Sequence, residues 1–182
     1  MTRVAPPLGE EQAFWIRPLG LLADSPEGLR DAWRSIEEMW EATVADAREL
    51  PAVTLDQRVG DGWSFLEHLR HLVFVTDGWV RDAVLDEPAP YDPIGMPPDF
   101  ITNGTELGLD PDAHPSLDEV LRVRAGRVDQ VRALLGGITD EALDGPCATA
   151  GGSFTVLGAL QNVVFEEWAH HHYATRDLAQ LG

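Results

Sequence analysis

The run Glu166-Glu167-Trp168-Ala169-His170-His171-His172 lies in a continuous amphipathic stretch from about Ser153 to Leu181. Its two Glu-x-x-x-His pairs, Glu166/His170 and Glu167/His171, each span one helical turn. Side chains four residues apart stack on one helix face, so either pair is able to pinch a single cation. A third ligand must come from elsewhere, and the remaining histidines are His68, His71 and His114. His68 and His71 fall on a second strongly helical stretch, and a histidine facing a Glu/His pair across helices is the geometry of a metal site in a bundle core.

Working outward, Ser25-Pro26 opens a helix as N-cap and first helical residue. Leu29, Trp33, Ile36, Trp40, Val44 and Ala47 then give it one apolar face down to Pro51. The residues before Pro26 read as an extended lead-in with room for one short helix. Ser64 and Glu67 form a capping box that starts the second helix, which runs through Leu85 and is apolar nearly all round. Ser116 and Glu119 make another box for the third helix, and Gly136-Gly137 stops it. Residues 138–153 read as a Gly- and Ala-rich connection. Between the second and third helices, Asp86 to Pro115 lacks helical period and exceeds the usual bundle loop. Its Tyr91, Ile94, Met96 and Phe100 favour packing over disorder. The expectation is an all-α single domain over residues 1–182. The simplest architecture is an up-down or up-down-down-up four-helix bundle with one long crossover.

Composition narrows the function. The chain has 182 residues, 13 basic side chains against 31 acidic ones, and a formal net charge of −18. All 13 basic residues are Arg. So acidic a surface repels phosphate backbones and anionic lipid, which excludes nucleic acid and membrane as expected partners. One cysteine, Cys147, excludes an internal disulfide framework and a multi-cysteine zinc site. Without a secretory or membrane-spanning pattern, cytoplasmic location is the expectation. A small-molecule substrate and a homodimer through helix faces are compatible with such a bundle.

Periodicity selects among the ligands. At about 100° per residue, Val156, Leu160, Val163, Val164, Ala174 and Leu178 fall within about 60° of Glu167, and His171 shares that arc. Glu166 sits about 100° away at the edge of the stripe. A buried carboxylate is costly without a partner, so a cation beside Glu167 is the simplest reading. His71 aligns with Ser64, Val75, Gly78 and Leu85 on the second helix and becomes the third ligand. The expected set is His71, Glu167 and His171, with Glu166/His170 or His68 as replacements. Two imidazoles and one carboxylate suit Zn, Ni, Fe or Mn and leave positions open for water or substrate. Trp63, Trp79 and Trp168 are candidates to wall the site. Arg81 and Arg176 are weighed as anchors for a substrate carboxylate, but their helical angles disfavour them.

Trp63-Ser64, His71 eight residues after the Trp, and paired ligands before His-His on the last helix together resemble the DinB-like superfamily. The resemblance implies a four-helix bundle with one metal-binding histidine on the second helix and two ligands on the fourth. Members commonly carry His-x-x-x-His-Arg-Gly-Gln there; its histidines fall on Glu167 and His171, and its Arg-Gly-Gln on His172-Tyr173-Ala174. Glu in place of the first histidine resembles the mycothiol-dependent maleylpyruvate isomerase branch, which uses His, Glu and His. That similarity implies a metal-dependent S-transferase or isomerase working through a low-molecular-weight thiol such as mycothiol. A metal-dependent hydrolase, or a non-catalytic small-molecule-binding or stress bundle, is the alternative.

Overall fold

In a computed structural model, residues 8–149 and 152–181 are described. Four long helices carry the fold: α2 (Pro26–Arg48), α4 (Phe65–Thr76), α5 (Leu117–Gly137) and α7 (Val156–Leu181). Short helices α1 (Glu10–Ile16), α3 (Ala52–Leu55) and α6 (Asp140–Leu143) fill the connections. The expected starts hold for three of the long helices. Ser25 Oγ accepts from Gly28 N, with Pro26 in the first turn. Ser64 and Glu67 exchange hydrogen bonds of 2.8 and 3.2 Å, and Ser116 pairs with Glu119 in the same way.

Two local readings change. The segment read as a connection over 138–153 contains α6 and two strands, β1 (Pro146–Thr149) and β2 (Gly152–Thr155), paired antiparallel with Cys147 opposite Phe154. The fourth helix therefore begins after the hairpin. Thr155 caps it, its Oγ1 accepting from Gly158 N at 3.0 Å. Phe154 meets Trp79 edge-on at 4.7 Å, which seats the hairpin against the second helix. That helix also ends differently, α4 widening into a π-helical stretch over Asp77–Asp82.

Helices α2 and α4 each pack on α5 and α7, so the chain-consecutive pair α2 and α4 stand diagonally. Leu29, Ile36, Leu69, Leu72, Val120, Val131, Leu160 and Val163 are buried where the four helices meet. The crossover from Asp86 to Pro115 is packed, as its apolar residues indicated. Leu109 is buried, Tyr91 stacks on Phe74 at 5.4 Å, and Met96 N donates to Arg70 O. Buried Asp77 ties it further, accepting from Asp92 N and from Arg127. Among the described residues, no helix is long and apolar enough to cross a membrane.

One polar contact lies in the interior. Arg124 donates from both terminal nitrogens to Glu167, at 3.2 and 2.9 Å, and the two residues are 7% and 1% exposed. The guanidinium also lies over the Trp40 ring, 5.2 Å from its centroid. Arg124 occupies the stripe of Val120, Val131 and Leu135, where an apolar residue is the usual occupant. The pair persists because each ion answers the other through two hydrogen bonds. We expect Arg124→Met to lose about 3–5 kcal/mol in urea unfolding, because it strands the Glu167 charge. The double variant Arg124→Met with Glu167→Leu should regain most of that loss.

Candidate metal centre

Helix α4 presents His71, and α7 presents Glu166 and His170. Ligand atoms of these three residues lie within 4.8 Å of one another. The Glu166 Oε2 oxygen is 3.3 Å from His170 Nε2 and 3.9 Å from His71 Nε2. Among the described residues this is the one group of its kind.

Of the three residues expected as a set, the cluster holds His71, with Glu166 and His170 beside it in place of Glu167 and His171. Glu167 is buried as the periodicity indicated, but its partner is Arg124 rather than a cation. His171 points toward α2, with Nε2 2.8 Å from Thr43 Oγ1 and its ring edge-on to Trp40 at 5.1 Å. Neither belongs to the cluster that holds His71. The physical reason is that α7 is buried on more than one side. Its deepest direction faces α2 and α5, whereas the flank carrying Glu166 and His170 faces α4.

The surroundings orient both imidazoles. His71 Nδ1 lies 2.9 Å from the Met96 carbonyl oxygen, which only accepts, so Nδ1 carries the proton and Nε2 is left with its lone pair. His170 Nδ1 lies 2.8 Å from Nδ1 of buried His68, which leaves His170 Nε2 toward Glu166. His68 therefore lies beside the cluster of His71, Glu166 and His170 and outside it. Trp63 covers the group, stacked on His170 at 5.4 Å and tilted over His71 at 4.8 Å.

Electrostatics keep the donors available. Burial, reinforced by the neighbouring His170, pushes the His68 imidazolium down to about 4, and burial also lowers His170. For Glu166, burial alone would raise the carboxyl, but His170 and His71 hold it at about 2. A lowered His170 imidazolium beside an ionised carboxylate suits a divalent ion, which binds deprotonated donors. The donor types, the His71 tautomer and the spacing fit such an ion.

The other sequence candidates lie elsewhere. Arg81 is tied to Asp77, Glu87 and the Pro90 carbonyl, and Arg176 to Asp177. His114 lines a separate groove beside the crossover. Trp63 and Trp79 line a cavity of about 450 Å³ that opens onto His71, Glu166 and His170, whereas Trp168 stacks on His172 at a different groove. Cys147 is buried, and burial pushes its thiol up, as suits an inert side chain.

Fold and site together define a mostly helical bundle with a His/Glu/His group, able to hold a metal ion, lining an open cavity. The match to the DinB superfamily covers residues 35–174, and the chain belongs to that superfamily. A protein from Streptococcus pneumoniae, with a crystal structure from a structural genomics programme, shares the fold. It is 17% identical, with a TM-score of 0.57 over 85% of this chain and 90% of that one. No curated protein matches the chain.

Two outcomes follow for His68. Its folded-state pKa of about 4 lies below the usual 6.5, so the unfolded chain takes up the proton first on acidification. The stability it contributes is full above pH 6.5 and falls toward pH 4. The urea midpoint should decline across that interval, and less steeply in His68→Phe. The same variant removes the hydrogen-bond partner of His170 Nδ1 and should weaken divalent-metal affinity about 10–100-fold. His68→Asn, which returns a polar group near the lost nitrogen, should restore most of it in a competitive metal titration.

Proposed function

We propose that this chain is a metal-dependent protein of the DinB superfamily whose ion is held by His71, Glu166 and His170, and that it acts on a small molecule taken into the adjoining cavity. The convergence of three donor atoms from two helices at the foot of that cavity carries the reading. The Glu-x-x-x-His spacing that resembles the mycothiol-dependent isomerase branch is kept by Glu166/His170, one residue earlier than the alignment implied. When bound, a divalent ion in such a site supplies Lewis acidity and lowers the pKa of a coordinated thiol or water.

Among the cavity-lining residues, the titratable side chains are the three ligands and Tyr91, whose hydroxyl is pushed up to about 12 by burial and by Asp82. None is placed to serve as a separate general base near neutral pH. This favours a nucleophile carried in by a small thiol over one generated from water by the protein. We therefore favour transfer or isomerisation through a low-molecular-weight thiol over hydrolysis. In this scheme His71 and His170 are held ligand-ready by Met96 and His68. Glu166 offsets cationic charge, and the aromatic walls exclude water.

Purified wild-type protein loaded with cobalt(II) should bind the ion, and a small thiol should then produce a sulfur-to-cobalt charge-transfer band. His71→Ala and Glu166→Gln should lose most of the metal while circular dichroism stays unchanged; His171→Ala should keep it. Full loading in His71→Ala and Glu166→Gln, or loss confined to His171→Ala, sinks this assignment. Metal retained with no thiol band removes the thiol reading and leaves hydrolysis as the alternative.

A further inference from the structure

The cavity beside the ligand cluster has walls of one kind. Trp63, Phe74, Trp79, Tyr91 and Phe100 line it with Ile101, and among the described residues no Arg or Lys lines it. The nearby arginines are committed: Arg81 to Asp77 and Glu87, and Arg127 to Asp77 and Asp92. The carboxylates they serve, together with Asp82 beside the Tyr91 hydroxyl, give this side an excess of negative charge. Among the described residues, a ligand carboxylate away from the cluster would meet no free cation, only aromatic faces and like charge.

Phe100 adds a second observation. It lines the cavity from the crossover, yet the residue is 80% exposed, so the fold gains little from it. A large aromatic left in water at a cavity rim has apolar surface to bury against an occupant. Its neighbour Ile101 lines the same rim, so the occupant would lie between the crossover and α4.

We infer that the cavity is a recognition site for an uncharged aromatic group. The substrate class is therefore a molecule with a flat apolar ring in the cavity and a single donor group directed at His71, Glu166 and His170. Polycarboxylates are disfavoured, which separates this chain from an isomerase of a small dicarboxylic acid even though the ligand types resemble those of that branch. The inference deepens the metal-dependent reading, and its ring-binding half stands without the metal. Aromatic walls bind a ring by area and by edge-to-face contact, and Phe100 supplies the outermost part of that area.

The test uses the full chain in two states. On metal-free protein, 2-naphthol and 6-hydroxy-2-naphthoate are compared by fluorescence titration; the neutral probe should bind at least about tenfold more tightly. Phe100→Ala, at an exposed position and so without cost to folding, should weaken 2-naphthol several-fold. On metal-loaded protein, benzohydroxamate should bind about 10–100-fold more tightly than acetohydroxamate, which has the same chelating group without the ring. 4-Carboxybenzohydroxamate should lose that advantage. Failure of acetohydroxamate to bind would count against the metal reading while the naphthol comparison still decided the ring site. Equal affinity for 2-naphthol and its carboxylate, no binding of either, or no effect of Phe100→Ala would overturn the inference.

Discussion

The Arg124–Glu167 ion pair sets the rotation of the last helix, and the candidate site follows from that rotation. Glu166 and Glu167 are neighbours in sequence and point about 100° apart on a helix. Once Glu167 is held by two hydrogen bonds to a buried guanidinium, Glu166 is directed toward α4. The same turn carries His170 over Glu166 and sends His171 toward Thr43. Two carboxylates that look equivalent in the sequence thus have different partners. One is neutralised by a cation of the chain itself, and the other is left beside two imidazoles.

Support for the site comes from segments outside the helices that carry it. The Met96 carbonyl fixes the tautomer of His71, and Met96 in turn donates its backbone amide to Arg70 one residue before that histidine. Asp77 binds Asp92 of the crossover and Arg127 of α5 to the end of α4. The long crossover is therefore both a wall of the cavity and part of the mounting of a ligand.

Much of this was legible in the residues. The caps at Ser25, Ser64 and Ser116 and the apolar periodicities placed three long helices, because those signals are local and chemical. The strand pair β1 and β2 was not, since each strand has four residues and the pair rests on contacts with Trp79 and α7. At the site, His71 was readable from its alignment with buried neighbours. Between Glu167 and Glu166, depth of burial alone does not tell which carboxylate the chain itself neutralises. The deciding signal was present in Arg124, which interrupts the stripe of Val120, Val131 and Leu135. A basic residue at a core position announces a buried acid as its partner, and in this fold that partner is Glu167. A centre that must admit a ligand belongs near the edge of the apolar stripe, where Glu166 sits.

That His71 is steadied by a main-chain oxygen has an evolutionary corollary. Replacing the Met96 side chain leaves its carbonyl in place, so the contact depends on the path of the backbone and not on the residue that supplies it. The same strand of chain carries Phe100 and Ile101, whose side chains shape the cavity mouth. Drift at those rim positions alters what enters while the imidazole stays aimed. A lineage built on this scaffold is free to reshape the mouth of its cavity while the cluster at His71 keeps its aim.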